Sequence, residues 1–302
     1  MKLDYSVVFN NIKEKLKTYL ILNKNVKNLV IGMSGGLDST VCAYIVRQAC
    51  DELNRGHKLY GTWISIETNS LEEHDRAINI GKRWCHQFQD DNILGNAIYA
   101  NSKDLIESFF NEDDNESDKE AKIRRGNIKA RIRMSILYNI AQSKRGMVID
   151  TDNITEHLLG FWTLHGDVGD YTLLSGLWKT EVFELAKYIA STLEGTDKSN
   201  FIDVVNAVPT DGLGITSSDV EQFGCDTYDE VDGILKAHVN PCNYQVKNEL
   251  YSLLKLDNIY GKEKVDNVLR RFANSAFKRN NPCRISRSET VRGAITQLED
   301  WE

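Results

Sequence analysis

The positions of apolar and polar residues predict a chain in which helices and strands alternate. Residues 5–22 place apolar side chains at helical spacing, and the apolar run at 29–31 has the β-branched character of a buried strand. The same pattern predicts strands at 58–66, 96–100 and 146–150 and helices at 71–88, 123–143 and 178–193. This order favours an α/β fold with a doubly wound parallel sheet, flanked by helices, that binds ligands at the carboxyl ends of its strands.

The pattern changes in the last third of the chain. Beyond residue 212 it is wholly helical, with helices predicted at 218–223, 228–237, 242–254 and 262–277. Residues 111–120 are acidic and almost without apolar side chains, which predicts a mobile surface loop. We therefore expect a single α/β domain over residues 1–302 that contains this loop and has a mostly helical C-terminal part, 215–302.

The long helix predicted at 123–143 has two distinct faces. Isoleucines at 128, 132, 136 and 140 form one apolar stripe, which fits either the protein core or half of a dimer interface. Asn127 and Arg131 share another face because they are four positions apart. After the next strand, we expect Thr151-Asp152 to cap a helix that carries Glu156 one turn in.

The stretch 28–40, NLVIGMSGGLDST, has the form of a phosphate site. The strand stops at Gly32, and in the following Ser34-Gly35-Gly36 glycine lets backbone N–H groups turn inward to face an anion. A helical pattern begins near Asp38, so the positive end of the helix dipole points to the same place. An ordinary glycine-rich turn before a helix is the alternative, but the fixed identities between a strand and a helix favour function.

Asp38 distinguishes this loop from the common nucleotide-binding loops. The loop has neither the lysine of a P-loop nor a G-x-G-x-x-G fingerprint. A carboxylate beside phosphate is repulsive unless a divalent cation lies between them, so Asp38 implies Mg²⁺. The S-G-G-x-D-S pattern resembles the pyrophosphate loop of the ATP-pyrophosphatase superfamily, whose members cleave ATP to AMP and pyrophosphate.

Composition argues against several classes of protein. The net charge of −7 and the pI near 5.5 argue against a nucleic-acid partner. The six cysteines contain no C-x-x-C pair, so zinc and dithiol chemistry are not expected, and Cys42 and Cys50 fit buried positions on the helix after the loop. Without a signal-peptide pattern or an apolar run of about 18 residues, we expect a cytoplasmic protein with no membrane partner.

Further motifs resemble those of the NAD synthetases. The segment 126–134, GNIKARIRM, looks like the G-N-x-K-A-R-x-R-M helix of that family. The segment 151–161, TDNITEHLLGF, resembles its T-D-x-x-E-x-x-x-G-F-F stretch, and 166–170 and 226–232 are similar to two further motifs. The resemblance spans roughly residues 5–282, because matches to the family's later motifs follow in its order at Lys179, Thr210 and Lys278-Arg279.

The resemblance implies an ammonia-dependent NAD synthetase, an ATP-using ligase. In that reaction Mg-ATP adenylates the nicotinate carboxylate of nicotinic acid adenine dinucleotide, pyrophosphate leaves, and ammonia displaces AMP to give NAD. The implied ATP-binding residues are Gly32, Met33, Ser34, Gly35, Gly36, Leu37, Asp38, Ser39, Thr151, Lys179 and Thr210. Asp38 and Glu156 are the implied magnesium ligands, and Asp38 and Lys179 are implied to act in catalysis.

A second set of residues is implied to bind the dinucleotide, namely Asn127, Arg131, Phe161, Trp162, Asp170 and Lys278. Asp167 or Asp170 is expected to accept a proton from ammonium, because attack needs neutral ammonia. Structural roles are the alternatives: a solvated charge for Arg131 and Lys278, and core packing for the two aromatic residues. Glu156 could equally be a helix-dipole partner, and Asp170 a turn residue.

Three positions depart from the family pattern. Leu37 stands where many ammonia-dependent members carry glutamine, Leu164 replaces a substrate-binding lysine, and Phe277 replaces a histidine. The competing interpretations are a tRNA-modifying ATP pyrophosphatase, a non-catalytic nucleotide-binding module, and a synthetase subunit served by a separate glutaminase. The acidic pI counts against the first of these. Family members are usually dimers with the dinucleotide along the interface, so a homodimer is expected.

Overall fold

The fold is a five-stranded parallel sheet with helices on both faces, as the alternating pattern predicts. The computed structural model describes residues 3–65, 70–90, 104–110, 119–210, 217–239 and 250–282, together with residue 286. The strands are β1 (Asn28–Gly32), β2 (Lys58–Trp63), β3 (Gln87–Asp90), β4 (Gly146–Asp150) and β5 (Tyr171–Thr172). Their order across the sheet is β3-β2-β1-β4-β5.

Besides a short helical segment at residues 104–107, twelve helices lie in the described part of the chain. The first six are α1 (Tyr5–Leu22), α2 (Leu37–Leu53), α3 (Leu71–Trp84), α4 (Lys119–Ser143), α5 (Ile154–Leu159) and α6 (Lys179–Thr192). The others are α7 (Gly195–Asn206), α8 (Asp219–Gln222), α9 (Tyr228–His238), α10 (Leu250–Tyr260), α11 (Lys262–Asn274) and α12 (Ala276–Arg279). None of the helices in the described ranges is long and apolar enough to cross a membrane.

Both faces of the central strands are buried, which explains their continuous apolar sequence. On β1, Leu29 and Ile31 belong to the core formed with α1, α2 and α6, whereas Val30 belongs to the core beneath α4. Val30 pairs with Val148 of β4, so the alternation continues across the sheet. The strand order reverses at β1 and β4, and such a switch point leaves a crevice at the carboxyl ends of the two strands.

A third core joins the sheet domain to the helical C-terminal part. Ile154 and Leu158 of α5 pack in one cluster with Val231 of α9 and with Val268 and Phe272 of α11. The short helix after β4 therefore lies between the crevice and the helices that follow in sequence. The predicted helical character of this C-terminal part is confirmed for the residues that the structure describes.

Several boundaries differ from the predicted ones. The helix predicted at 71–88 ends at Trp84, and Phe88 lies instead in β3, because its ring fits against Gly81, where a Cβ would come within 2.2 Å of it. The strand predicted at 58–66 ends at Trp63, and helix α7 was not predicted. The strand predicted at 96–100 lies outside the described residues, as does 111–118 of the acidic loop, whereas residues 119 and 120 begin α4.

The isoleucine stripe on α4 and the cysteines of α2 occupy interior or half-interior positions. All four isoleucines are partly buried and pack against the core beneath α4. The face that is fully buried lies beside them, at Met134, Leu137 and Ala141. Cys42 and Cys50 are buried and free, as expected.

Candidate active site

The glycine loop after β1 has a backbone conformation and a close contact with α3 that exclude a Cβ at position 35. Gly35 has a φ of +75°, and a Cβ there would lie 2.2 Å from the backbone oxygen of Glu73 on α3. Arg76 of α3 donates a hydrogen bond from Nε to the Gly35 carbonyl (3.0 Å). Ser34 Oγ accepts from Gly36 N–H (3.2 Å) and lies 3.0 Å from Ser39 Oγ. The loop is thus fixed between α3 and the first turn of α2.

One lysine connects the two strand ends that meet at the crevice. Lys179 Nζ lies 2.5 Å from Asp38 Oδ2, in the first turn of α2, and 2.9 Å from Glu156 Oε1 on α5. The Lys179 side chain is only 3% exposed, and the carboxylates are 18% and 13% exposed. Asn153 Nδ2 donates to the other oxygen of Asp38 (3.1 Å). Both predicted metal carboxylates and the predicted ATP lysine therefore meet at one point beside the glycine loop.

Burial and like charges shift the titration of this cluster. Burial raises the pKa of Glu156 to about 7, although Lys179 acts in the opposite direction. Burial alone would lower the pKa of Lys179, but Asp38 and Glu156 raise it well above its usual value, so the lysine is charged. Burial also raises the pKa of Asp150 to about 6 and that of Asp152, which lies near the other carboxylates. Such an excess of carboxylates favours a cation.

The N-terminus of α5 is capped by a residue other than the predicted pair. Asn153, rather than Thr151-Asp152, is the N-cap, and its Oδ1 accepts from the N–H groups of Thr155 and Glu156 (both 3.1 Å). Glu156 Oε2 accepts from Asn153 N–H (3.1 Å), which completes a capping box. Glu156 therefore has the helix-end role considered as an alternative, while its second oxygen faces Lys179.

A cleft of about 370 Å³ opens beside this cluster. It is lined by the glycine loop and by Asp38, Ser39, Thr151, Glu156, Phe161, Asp167, Lys179 and Thr210. Of the eleven predicted ATP-binding residues only Gly35 is not part of the lining, because it turns its backbone toward α3. Thr210 Oγ1 also donates to Glu73 Oε1 (3.4 Å) at the cleft wall.

Apart from Asp170, the predicted substrate residues gather around one loop, residues 160–167. Arg131 Nε donates to the Leu164 carbonyl (3.2 Å), and Thr163 Oγ1 donates to Asn127 Oδ1 (2.7 Å). Lys278 Nζ donates to the carbonyls of Gly160 (2.7 Å) and Trp162. Arg131 is exposed apart from this contact, so its side chain lies at the outer edge of the loop.

The two aromatic residues of this loop have different surroundings. Phe161 lines the cleft, yet its ring also packs edge-on against Phe223, with 4.9 Å between centroids. Trp162 lies beneath the Lys278 ammonium, 5.5 Å from its ring centroid, and is not part of the cleft lining. Phe161 therefore packs against the core and also faces the cleft.

Asp167 and Asp170 also separate. Asp167 lines the cleft and accepts from Thr163 N–H (2.6 Å). Asp170 accepts from the Tyr138 hydroxyl (3.0 Å) and from Val148 N–H (2.9 Å), so its carboxylate is tied to the edge of β4 and does not line the cleft. Of the two candidates for the proton acceptor, only Asp167 faces the cleft.

The C-terminal carbonyls of α5 are satisfied by cations from the end of the described chain. Arg279 Nη1 donates to the Leu158 carbonyl (2.6 Å), Arg271 Nε to that of Leu159 (3.2 Å), and Lys278 to Gly160. Positive charge at a helix C-terminus is favourable because it complements the helix dipole. Arg271 also lies 5.0 Å from the Phe161 ring centroid, so α11 supports the substrate loop as well.

Two cleft cations were not predicted from the sequence. Arg76 reaches the glycine loop from α3, and Arg133 of α4 lines the cleft while its Nε donates to the Ile64 carbonyl (3.0 Å). Burial lowers the pKa of Arg133, with Asp167 acting in the opposite direction. Arg133 lies within the GNIKARIRM segment, two positions after Arg131, so this motif could have pointed to it as a site residue. No sequence pattern pointed to Arg76.

The residues fit a magnesium ion that is held partly by a nucleotide. In the described ranges, no three or more carboxylate, histidine or cysteine side chains are arranged to enclose a metal ion. Magnesium usually takes one or two protein carboxylates and completes its shell with water and substrate phosphates. Asp38 and Glu156 each place an oxygen within 3 Å of the same nitrogen beside the glycine loop, which is such a donor pair.

The fold and the cleft together define an α/β nucleotide-binding protein whose phosphate loop faces a lysine and two carboxylates. The family model of NAD synthase matches residues 8–282. The NH(3)-dependent NAD(+) synthetase of Mesoplasma florum is 32% identical over 255 residues, which cover 84% of this chain and 91% of that one. The chain belongs to the NAD synthase family, whose members are ATP-dependent ligases that form an amide.

Solved structures of similar proteins share the fold. The NH3-dependent NAD synthetase of Campylobacter jejuni superposes with a TM-score of 0.66 at 20% identity, over 94% of this chain and all of that one. The NMN synthetase of Francisella tularensis gives the same TM-score at 22% identity, over 94% of this chain and 98% of that one. The predicted doubly wound sheet with a helical C-terminal part is therefore confirmed.

Proposed function

We propose that this protein joins ammonia to the nicotinate carboxylate of nicotinic acid adenine dinucleotide, with ATP as co-substrate and NAD, AMP and pyrophosphate as products. The observation that carries the proposal is the meeting of Lys179, Asp38 and Glu156 beside the glycine loop. Adenylation of a carboxylate needs positive charge around the departing pyrophosphate. Lys179 supplies one such charge, and Asp38 and Glu156 would hold a magnesium ion that supplies another.

The glycine loop and its neighbours would hold the triphosphate. Gly36 and the first turn of α2 line the cleft, and the first backbone N–H groups of this helix would donate to phosphate oxygens. Lys179 would contact the β- and γ-phosphates, and Arg76 and Arg133 add two further cations to the lining of the cleft. A magnesium ion on Asp38 and Glu156 would neutralise phosphate charge and favour departure of pyrophosphate.

The loop 160–167 would hold the acid dinucleotide. Phe161 offers a flat apolar face at the cleft, and Asn127, Arg131 and Lys278 fix the loop by hydrogen bonds. In this arrangement Arg131 and Lys278 act on the substrate partly through the backbone that they hold. Asp167 is the proposed acceptor for the proton of ammonium, since its carboxylate faces the cleft.

The test is a reaction with defined omissions. Protein, ATP, Mg²⁺, ammonium and nicotinic acid adenine dinucleotide should yield NAD, AMP and pyrophosphate in equal amounts. Pyrophosphate should not appear when the dinucleotide is omitted or replaced by tRNA. Nicotinic acid mononucleotide and glutamine are tested in place of the dinucleotide and of ammonium, respectively. Pyrophosphate released with tRNA alone, or amide formed only from the mononucleotide, would contradict the proposal.

Asp38→Ala provides the matched site variant. It should release no pyrophosphate while its circular dichroism spectrum matches that of the wild type, because Asp38 is partly exposed at the cleft. Asp229→Ala, an exposed acidic residue of α9, serves as the charge-matched control and should keep full turnover. Unchanged turnover in Asp38→Ala would contradict the role given to this residue.

We also propose that the protein forms a homodimer. The isoleucine stripe of α4 is only partly buried, and Tyr138 of the same helix and Val168 are 41% and 38% exposed. An apolar surface of this kind gains stability when a second chain covers it. Light scattering should give twice the chain mass of 34.4 kDa, and Ile136→Asp should reduce it to that of a monomer. A monomeric wild type at micromolar concentration would refute this.

A further inference from the structure

Asp232 of α9 is a buried carboxylate that lies outside the cleft lining. It is 1% exposed, and both of its oxygens are engaged by hydroxyl and amide donors. Oδ1 accepts from the Thr155 hydroxyl (2.6 Å), and Oδ2 accepts from both the N–H (2.9 Å) and the hydroxyl (2.7 Å) of Thr180. Three donors thus hold one carboxylate between two other helices.

The partners of Asp232 are the immediate neighbours of two cleft residues. Thr155 precedes Glu156 on α5, and Thr180 follows Lys179 on α6. Thr155 Oγ1 also accepts from the backbone N–H of Lys179 (2.9 Å), so one hydroxyl links both helix starts. Asp232 therefore holds the backbone on either side of the Glu156–Lys179 pair.

This contact also replaces a missing local cap. The residue before α6 is Trp178, whose side chain has no oxygen to accept from the first amides of the helix. Those amides bond instead to Thr155 and Asp232, from α5 and α9. The start of α6, and with it the direction of the Lys179 side chain, depends on a carboxylate 52 residues later in the sequence.

We propose that Asp232 is a positioning residue for adenylation, which acts by fixing the Lys179 ammonium relative to Glu156 and Asp38. The inference rests on the proposed function, in which Lys179 contacts the departing phosphates. A displacement of about 1 Å in such a group lowers the rate by about a hundredfold, so loss of the Asp232 contact should be visible in turnover. The simpler alternative is that Asp232 only stabilises the helical C-terminal part.

Asp232→Asn separates these alternatives. Thr155 and Thr180 donate to different oxygens of Asp232, and asparagine replaces one of these oxygens with a donor, so it can accept from only one of the two threonines. We expect kcat to fall at least tenfold, with the KM for the dinucleotide within twofold of the wild type. The exchange of labelled pyrophosphate into ATP, which reports adenylation alone, should fall by the same factor. All rates are measured at least 10 °C below the melting temperature of each variant.

Thr155 offers a second test that does not depend on the stability of Asp232→Asn. Thr155→Val removes the hydroxyl at nearly constant volume, whereas Thr155→Ser keeps it. We expect Thr155→Val to lose at least tenfold in kcat and Thr155→Ser to remain within threefold of the wild type. Equal kcat for the two variants would overturn the proposal even if Asp232→Asn did not fold.

Glu230→Gln is the matched control on the same helix. Glu230 pairs with Lys264 (2.6 Å) and accepts from the Asp226 N–H (2.8 Å), so its side chain bonds to α11 and to the start of α9. It should lower the melting temperature but leave kcat and the exchange rate unchanged. A similar fall in kcat for Glu230→Gln and Asp232→Asn would show that loosening of α9 is sufficient. That result, or a wild-type kcat in folded Asp232→Asn, overturns the positioning role, whereas absence of NAD formation by the wild type overturns the proposed function.

Discussion

Gly35→Ala should both destabilise the protein and prevent it from binding ATP. The residue combines a φ of +75° with a closely packed neighbour, since an added Cβ would lie 2.2 Å from Glu73 O and 3.2 Å from Ala77 N. Both neighbours are backbone atoms of α3, which cannot rotate away as a side chain could. The loop would have to move off α3, and Arg76 would lose its bond to the Gly35 carbonyl.

The size of the effect follows from two contributions. A left-handed backbone costs about 1–2 kcal/mol for a residue that has a Cβ. Insertion of a methyl group into a closely packed site costs about 1–3 kcal/mol. We therefore expect Gly35→Ala to lower the free energy of unfolding by about 2–5 kcal/mol, a large part of the 5–15 kcal/mol typical of a domain.

Two other glycines separate these contributions. Gly56 has a φ of +81° with no atom within 4 Å of an added Cβ, so Gly56→Ala should show the backbone cost alone. Gly36 has an ordinary extended backbone, and a Cβ there meets only Ser34 Oγ, at 3.2 Å, which can rotate. Gly36→Ala should therefore lower the free energy of unfolding by less than about 1 kcal/mol.

Urea unfolding followed by circular dichroism measures all three variants, with an unchanged m-value as the condition for comparing them. Calorimetric titration with ATP and Mg²⁺ then measures binding. Gly56→Ala should bind as the wild type does, because Gly56 lies in the turn before β2, and Gly35→Ala should show no binding. The reasoning is contradicted if Gly35→Ala is as stable as Gly56→Ala, or if Gly35→Ala binds ATP as the wild type does.

Three further variants test the site and its support. Lys179→Met should lower the rate of pyrophosphate release at least a hundredfold, the scale for removal of a charge-stabilising group, and a loss under tenfold would contradict its role. Lys278→Met should raise the KM for the dinucleotide tenfold or more, with the KM for ATP within twofold, because it frees the carbonyls of Gly160 and Trp162. Burial and Arg47 lower the pKa of His86 below its ordinary value of 6.5. The unfolded chain therefore binds the proton more readily than the folded protein does. The contribution of His86 to the free energy of unfolding is present above pH 6.5 and should be lost as the pH falls below that value. Melting temperatures between pH 8 and 5 should show that loss, and His86→Gln should reduce it.

Local patterns in the sequence were sufficient to predict those elements whose signals lie close together along the chain. Strand β1 and helix α2 were predicted because an apolar run, two glycines and a helical period follow one another within a few residues. Asp38 and Glu156 could be assigned to one place because parallel strands end at the same edge of a sheet, whereas Lys179 was assigned through the family resemblance. The distances among them confirm that they meet.

Features that depend on packing between distant segments could not be predicted in this way. Phe88 continues a helical pattern, yet it lies in a strand because Gly61 and Gly81 leave room for its ring. Arg76 reaches the loop only because α3 packs across Gly35, and no local pattern records that contact. The capping role of Asn153 was missed for a simpler reason, since three adjacent polar residues could each have capped α5.

The support of α5 has a consequence for the order in which the protein is made. A helix of six residues does not persist by itself, and Arg279, which holds its last turn, follows Leu158 by 121 residues. While the chain emerges from the ribosome, the strands and the glycine loop can form long before that arginine exists. An unfinished chain therefore has no completed centre with which to consume ATP, and activity should begin only once the final helices have docked.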